Sequence, residues 1–306
     1  MADTSTAAAA IDEKRRVNFP PDPNPRTLRF APPPGTCDTH FHVFGPPHVF
    51  PYAETRLYTP PAAPIEHYFS MAKRIGVERA VLVVPTVHGA DNTVMHDAIA
   101  KGEGRLRGMI KSNPALTEAD NRELHARGVR GVRFNWVGRL RGESGAFDVD
   151  RFLRVVGHME PFGWPVDLHL DPHHLDERGE VIRRIPVPVI IDHFGQIDSK
   201  AGVDQPLVRV LCDLLSLGHV YVKVSCADRQ IARGARYEDV VALARVLIEH
   251  APDRIIWGTD WPHSFVWEAG KMANDGDLMN MLPDFAPDEA VRRKVLVDNP
   301  ARLFEF

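Results

Sequence analysis

Residues 36–43 read TCDTHFHV, a short stretch in which polar and apolar side chains alternate. This period of two is typical of a β-strand, and seven further candidate strands follow at 80–84, 105–110, 129–134, 165–170, 187–192, 219–224 and 254–259. Helical patterns separate them at 65–75, 92–101, 117–127, 149–160, 174–184, 205–217 and 237–250, with a last one at 287–298. Strands that alternate with helices predict a parallel sheet. Eight such units in about 270 residues predict a closed (β/α)8 barrel, the TIM-barrel architecture.

An open, doubly wound α/β sheet is the alternative arrangement of these elements. A glycine-rich phosphate loop after the first strand would favour this open sheet, but the segment that follows residue 43 contains no such loop. Residues 1–35 contain PPDPNP and APPPG, which predict an extended proline-rich arm rather than a separate fold. We therefore expect an arm over 1–35 and a single barrel domain over 36–306.

The composition argues against a nucleic-acid-binding, membrane-bound or disulfide-stabilised protein. The 306 residues carry a formal net charge of −4, which does not suggest binding to nucleic acid or to a membrane, and no apolar run has spanning length. The three cysteines, Cys37, Cys212 and Cys226, are widely spaced, so no disulfide framework is expected and a reducing cytoplasm is predicted. The arm is long enough to contact a second subunit, so a monomer and a homo-oligomer both remain alternatives.

The end of the first strand carries two histidines. Barrel enzymes place their chemistry at the carboxyl ends of the strands. His40 and His42 are two residues apart, so they and Asp38 are expected on one side of the strand. Imidazole is the commonest zinc ligand in proteins. The HxH pair alone equally fits two structural histidines on a half-buried strand.

Other strand ends strengthen the catalytic interpretation. His169 ends the fifth strand, His193 the sixth and Asp260 the eighth. Three imidazoles and a carboxylate form a mononuclear metal site with one position open to water. The predicted ligands of a zinc ion are His40, His42, His169 and Asp260. Asp260 is alternatively a general base, and His193 either polarises a carbonyl or binds the metal.

Arginines near the strand ends predict an anionic ligand. Arg133 and Arg139 flank the end of the fourth strand, and Arg229 follows the seventh. Guanidinium groups match carboxylate and sulfonate oxygens, although surface salt bridges are the more usual role of arginine. We therefore predict that these three side chains bind the acidic groups of a substrate.

Four weaker candidates complete the predicted substrate site. Thr86 and His88 follow the second strand and offer neutral hydrogen-bonding groups. Tyr52 lies in the loop after the first strand, where it is placed to close over a ligand. His263 follows the eighth strand, and it is predicted either to bind the substrate or to orient Asp260.

Six segments, in matching order from about Pro32 to the carboxyl terminus, resemble the amidohydrolase-related branch of the amidohydrolase superfamily. They are CDTHFHVFGP, VVPTVHG, GVRFNWVGRL, IPVPVIIDHFG, KVSCADR and IIWGTDWPH. Within that branch they are most similar to the lactonases of 4-sulfomuconolactone and of 2-pyrone-4,6-dicarboxylate. The resemblance implies a (β/α)8 barrel that hydrolyses a small anionic lactone in bacterial breakdown of aromatic compounds.

The resemblance also implies roles for individual residues. Asp260 would activate water, and His40, His42 and His193 would surround the lactone carbonyl. Thr86 stands where the pyrone lactonases have a substrate-binding serine. The three arginines would hold the acidic groups of the substrate.

Two positions depart from the pyrone lactonases, which work without metal. His169 stands where they have a tyrosine, and Gln196 where they have an arginine. His169 restores the strand-five ligand of metal-dependent relatives, which favours a zinc-assisted enzyme of the sulfomuconolactone type. A metal-free mechanism is the alternative.

Two rival functions use the same residues. Relatives on this barrel that decarboxylate aromatic or muconate-type acids with a metal carry the same HxH, histidine and aspartate set. A barrel that binds anions without turnover is the third hypothesis. It is the least favoured, because so many strand ends carry titratable groups.

Overall fold

The computed structural model describes residues 16–137 and 148–306. Eight parallel strands form one sheet in which consecutive strands are neighbours. They are β1 (Cys37–Phe41), β2 (Arg79–Val83), β3 (Leu106–Lys111), β4 (Val129–Asn135), β5 (Val166–His169), β6 (Val189–Ile191), β7 (Val220–Val224) and β8 (Ile255–Trp257). The sheet curls so that its two edges meet. There the Asp260 amide donates to the His40 carbonyl at 2.8 Å, and the His42 amide donates to the Trp261 carbonyl at 2.7 Å. The predicted (β/α)8 barrel is confirmed.

Helices lie between successive strands. The α-helices are Ile65–Arg74, Thr93–Lys101, Glu118–Ala126, Val149–Gly157, His174–Glu177, Gly179–Arg183, Pro206–Leu215, Ala227–Ala232, Tyr237–His250, Asp275–Asn280, Leu282–Phe285, Glu289–Arg293 and Asn299–Phe304. Their apolar residues recur at helical spacing. In Tyr237–His250, for example, Val240, Leu243, Ala244 and Leu247 are buried. The predicted helix at 174–184 is divided in two, and the one at 287–298 continues as a π-helical turn.

The closure of the barrel depends on one close approach between β1 and the chain after β8. A Cβ atom built on Gly258 would lie 2.7 Å from the Cβ of His40 and 2.8 Å from its backbone nitrogen. Any larger residue would therefore push His40 away from the seam. Glycine lets the backbone carrying Asp260 come this close to the histidine strand.

The described part of the arm, residues 16–35, runs along the same chain's barrel. The amide of Asn18 donates to the Thr59 carbonyl at 3.0 Å, and the Phe19 amide donates to the Val266 carbonyl at 2.9 Å. The Asn18 side chain also donates to the His263 carbonyl at 3.1 Å. The arm thus packs against the loop that follows β8.

The interior of the barrel is apolar at the amino ends of the strands. A buried cluster fills this end, and helix Asn299–Phe304 closes it from below. The cluster consists of Cys37, Val81, Val83, Met109, Ile190, Tyr221, Ile256, Leu303 and Phe304. We call these nine residues the floor. Among the described residues, no helix combines the length and the apolar character needed to cross a membrane.

Candidate active site

A cleft opens at the carboxyl ends of the strands, above the floor. Twelve residues line it: His42, Tyr58, Pro85, Thr86, Arg133, Asn135, His169, His193, Arg229, Asp260, Ser264 and Phe265. Seven of the predicted site residues are among them, drawn from seven of the eight strand ends. Sequence reasoning gave no site role to Pro85, Asn135, Ser264 or Phe265, which carry neither a charge nor an imidazole.

The centre of the cleft is a carboxylate surrounded by imidazoles. Oδ1 of Asp260 lies 3.4 Å from Nε2 of His40, 3.4 Å from Nε2 of His42 and 4.0 Å from Nε2 of His193. All four side chains are buried. Ligating atoms of His40, His193 and Asp260 all lie within 4.8 Å of one another, which is close enough to hold one metal ion. His169 lies next to this group, with 5.3 Å between its ring centroid and that of His193.

Unusual backbone conformations aim these side chains. His193, Cys226 and Asp260 each follow a strand and have positive φ values of 51°, 59° and 63°. Residues other than glycine avoid this left-handed region, which costs roughly 1–3 kcal/mol in a strained position, and such residues cluster at functional sites. The left-handed turns bend the chain sharply and bring the side chains over the barrel mouth.

Hydrogen bonds on the far side of each ring orient the histidines. Nδ1 of His42 lies 2.7 Å from the Val83 carbonyl oxygen, which can only accept, so the proton of the neutral ring is on Nδ1. Nδ1 of His169 lies 3.1 Å from Oδ1 of Asn135. These two rings therefore present the unprotonated Nε2 to the cleft, which is the form that binds a metal.

A layer of buried charges lies between the cleft and the floor. The ammonium of Lys223 donates to Oδ2 of Asp167 at 2.8 Å and to Oδ1 of Asp192 at 2.7 Å, and it lies 2.9 Å from Nδ1 of His40. Nη2 of Arg133 donates to Oδ2 of Asp192 at 2.8 Å. We call these five residues the charged layer.

Sequence reasoning missed Asp167, Asp192 and Lys223, although a signal was present. Side chains alternate along a strand, so Asp167 shares a side of β5 with His169. By the same rule Lys223 shares a side of β7 with Ser225, whose hydroxyl lies 2.8 Å from His193 Nδ1. A charge within a strand of a barrel is therefore a candidate for the interior.

Burial and neighbouring charges keep the imidazoles neutral. Burial, followed by the Lys223 ammonium, holds the pKa of His40 well below its usual value. Burial also lowers the pKa values of His169 and His193. Burial alone would raise the pKa of Asp260, but the Arg229 guanidinium and the imidazoles around it hold that pKa well below its ordinary value. The centre thus combines an ionised carboxylate with the neutral rings of His40 and His193.

The predicted arginines have carboxylate partners inside the protein. Arg229 forms an ion pair with Oδ2 of Asp260, and Arg133 forms one with Asp192. Both side chains also line the cleft. Each guanidinium carries five N–H groups, so these pairs leave donors for a ligand. Arg139 lies outside the described residues.

Two predicted substrate residues lie beside the cleft rather than in its lining. His88 is buried, with Nδ1 3.2 Å from the Pro51 carbonyl oxygen and its ring centroid 5.3 Å from that of Tyr52. The Tyr52 hydroxyl donates to the Gly45 carbonyl at 3.1 Å. These contacts fix the loop after β1 against the segment after β2, and substrate binding by the pair stays a prediction.

Two further residues have partners that hold the barrel seam. Nε2 of His263 lies 3.1 Å from Oδ1 of Asp275, and this carboxylate raises the pKa of His263 to about 9 against the opposing effect of burial. Asp38 was expected beside the strand-one histidines, but the register of β1 shifts between Asp38 and Phe41. Asp38 instead accepts hydrogen bonds from the Thr259 and Tyr68 hydroxyls at 2.6 and 3.0 Å.

An eight-stranded parallel barrel whose strand ends surround an aspartate with histidines defines an amidohydrolase-type barrel. The family model described as "Amidohydrolase" matches residues 37–306, and the chain belongs to this family. Members of the superfamily are typically metal-dependent, and the chain has donor groups able to hold a metal.

Named relatives cover nearly the whole chain. A 4-sulfomuconolactone hydrolase of Rhizobium radiobacter is 46% identical over 94% of this chain and 97% of its own. A 2-pyrone-4,6-dicarboxylate hydrolase of Comamonas testosteroni is 37% identical over 92% and 93%. Among solved structures, a probable 2-pyrone-4,6-dicarboxylic acid hydrolase of Acinetobacter baumannii with citric acid bound has a TM-score of 0.77 at 26% identity, covering 89% of this chain and 100% of that one.

Proposed function

We propose that this protein hydrolyses a small anionic lactone by opening its ring, as a step in the breakdown of an aromatic compound. The observation that carries the proposal is the ionised Asp260, with three imidazole Nε2 atoms at 3.4, 3.4 and 4.0 Å from one of its oxygens. The names of the two curated relatives support a lactone substrate. The sulfomuconolactone type is preferred, because that relative is 46% identical against 37%.

The residues of the cleft have complementary roles in this reaction. Asp260 accepts a proton from the attacking water, whose oxygen forms a bond to the ring carbonyl carbon. An imidazole N–H stabilises the negative oxygen that develops on that carbon. The ring C–O bond then breaks, and the leaving oxygen takes the proton that Asp260 received. The products are an enol or alcohol and a carboxylic acid on one chain, and the acid releases the second proton of the water to solvent to become a carboxylate.

Arg229 links substrate binding to base strength. In the free protein its guanidinium is paired with Asp260, which keeps that carboxylate a weak base. A carboxylate or sulfonate on the substrate competes for the same guanidinium. As the pair loosens, the pKa of Asp260 rises towards that of an effective base. Thr86, which lines the cleft, is positioned to bind the same ligand.

The donor set fits a divalent metal, and we propose zinc as the assisting ion. Of the predicted ligands, His42 and His169 present unprotonated Nε2 atoms, and Asp260 presents an ionised oxygen. Nε2 of the fourth predicted ligand, His40, is buried without a hydrogen-bond partner among the described residues, and it can bind a metal only when the proton of the ring is on Nδ1. A zinc ion held here would act as a Lewis acid on the lactone carbonyl.

Metal analysis of the purified protein tests the zinc proposal. The parent is expected to contain about one zinc per chain, and the variant His169→Tyr is expected to lose it, because the ring nitrogen is removed. His158→Tyr, at the end of helix Val149–Gly157, is the matched control and should keep the metal. A metal-free parent that is fully active would reject zinc while leaving the hydrolysis proposal intact.

Incubation with defined lactones tests the hydrolysis itself. The panel contains 4-sulfomuconolactone, 2-pyrone-4,6-dicarboxylate and a sugar lactone, each with metal-replete enzyme. Ring opening of the first is expected to have the highest kcat/KM. Release of carbon dioxide without ring opening would instead establish a decarboxylase. Tight binding without turnover of any compound would establish an anion-binding barrel.

We place the reaction in the cytoplasm, since the three thiols of Cys37, Cys212 and Cys226 are free. A homo-oligomer is compatible with this proposal.

A further inference from the structure

The charged layer contains a lysine for which the proposed reaction has no use. Lys223 lies in β7, is fully buried, and is not among the residues that line the cleft. A buried ammonium is costly unless it is fully paired. Its position next to His40 suggests a role that acts through that ring.

The geometry around Lys223 favours one arrangement of its protons. An ammonium group has three N–H donors and no acceptor. Three acceptor atoms lie within hydrogen-bond distance, namely Oδ2 of Asp167 at 2.8 Å, Oδ1 of Asp192 at 2.7 Å and Nδ1 of His40 at 2.9 Å. Each donor has one partner when Nδ1 of His40 accepts. The other tautomer would donate from Nδ1 to Oδ1 of Asp192 over the longer 3.3 Å and would leave one ammonium N–H facing an N–H, so acceptance at Nδ1 is favoured.

We propose that Lys223 is a positioning residue that fixes the proton of His40 on Nε2, so that this ring serves as a hydrogen-bond donor and not as a metal ligand. A neutral imidazole has one N–H, and when Nδ1 accepts, that N–H is on Nε2. Nε2 is buried, has no other hydrogen-bond partner among the described residues, and lies 3.4 Å from Oδ1 of Asp260. This nitrogen is on the side of the ring that faces Asp260.

His40 therefore differs from His42, although both rings belong to the same HxH pair. The carbonyl behind His42 leaves a lone pair on Nε2, whereas the ammonium behind His40 leaves a proton there. The pair then combines one potential ligand with one donor for the developing oxyanion. Naming the lactone carbonyl as the acceptor rests on the proposed function, while the position of the proton does not.

The same contacts explain why a second ion is not expected beneath the first. Ligating atoms of His40, Asp167 and Asp192 lie within 4.8 Å of one another, which is a geometry suited to a cation. The ammonium of Lys223 already lies among them. The lysine thus supplies a fixed positive charge at the position that such a cation would take.

Nitrogen NMR of the chelator-treated protein, labelled with ¹⁵N in its histidines, tests the tautomer directly. Signals of His40 are identified by their absence from His40→Gln. The expected spectrum has a protonated Nε2 and an unprotonated, accepting Nδ1 for His40, and the reverse for His42. A proton on Nδ1 of His40, or exchange between the two forms, would overturn the proposal.

Removal of the ammonium provides the second test. In Lys223→Met the proton of His40 is expected to move to Nδ1, where Oδ1 of Asp192 lies 3.3 Å away. The zinc affinity should then rise roughly 10-fold or more, because Nε2 becomes a ligand.

The double variant Lys223→Met/Asp167→Asn removes one charge of each sign and replaces the single variant in this test if the single variant does not fold. Lys73→Met, on the exposed face of helix Ile65–Arg74, is the control. An unmoved proton and an unchanged zinc affinity in a folded variant would contradict the proposal. Neither readout needs turnover, so they stay informative if no lactone is opened.

Discussion

At the amino ends of the strands the barrel interior is filled by apolar side chains, whereas at the carboxyl ends it holds buried charges and imidazoles. The floor is closed by Leu303 and Phe304 of the last helix. The charged layer above it contains one lysine, one arginine and two aspartates, whose hydrogen-bonded atoms are 2.7–2.8 Å apart. The same eight strands thus run from one kind of interior into the other.

The apolar floor is expected to contribute mainly to stability, whereas the charged layer is expected to contribute mainly to function. Burial of an apolar side chain stabilises a fold by roughly 1.5–3 kcal/mol, and it needs only a suitable size and shape. Buried ion pairs contribute little net stability, because desolvation offsets their attraction. The charged layer is therefore best explained by what it does to the rings above it. Variants at the two ends should behave differently.

The largest effect is expected at the carboxyl end. Asp260→Asn keeps the size of the side chain but removes the base, so kcat should fall roughly 10²–10⁴-fold. Steady-state kinetics with the preferred lactone measure this. Asp213→Asn, on the exposed face of helix Pro206–Leu215, is the matched control and should retain parental turnover. A variant at position 260 with parental kcat would remove Asp260 from the mechanism.

A floor variant should lose stability and keep its turnover. Phe304 is fully buried, and Phe304→Ala is expected to cost about 3–5 kcal/mol of unfolding free energy through the cavity it leaves. Urea denaturation gives the stability, and kcat per folded molecule should match the parent. Phe19→Ala, at a side chain that is 38% exposed, should change stability far less. If kcat fell along with stability, the two ends would not be independent.

A smaller effect, dependent on pH, is expected at the barrel seam. The pKa of His263 is raised to about 9 by Asp275, above the unfolded value of about 6.5. The pair therefore stabilises the protein fully below pH 6.5, and this contribution is lost as the pH rises through 9. Asp275→Asn should lower the unfolding free energy by about 2–3 kcal/mol at pH 6 and by much less at pH 9.5.

Urea denaturation at the two pH values checks this seam prediction. Asp277→Asn, on the same helix, breaks only a surface ion pair with Arg26 and should cost about 0–1 kcal/mol. A pH-independent loss in Asp275→Asn would show that the carboxylate acts through packing and not through the charge of His263.

The fold could be predicted because its signal is repeated along the chain. Each of the eight predicted strands overlaps an observed one, since short apolar runs and helical spacing recur with little interruption. His42, His169, His193 and Asp260 could be placed at one cleft because the carboxyl ends of parallel strands meet at one end of a barrel.

The partners of these residues could not be predicted, because pairing across the barrel leaves no spacing in the sequence. Arg133 was expected to bind substrate, yet it also pairs with Asp192, which lies on another strand end 59 residues away. The position of Asp38 depended on an irregularity within β1 that the alternation of side chains does not reveal. Lys223 and Asp167 were visible as charges in strands, but their contact with His40 required the closed barrel.

The central claim is that water, activated at Asp260, attacks the ring carbonyl of a lactone. Turnover of the preferred lactone in ¹⁸O-labelled water tests it most directly, with mass spectrometry of the product. We predict one ¹⁸O atom per turnover, in the carboxylate that forms from the ring carbonyl. Label in the released hydroxyl or enol oxygen, carbon dioxide in place of a ring-opened product, or no turnover of any lactone in the panel would contradict the account.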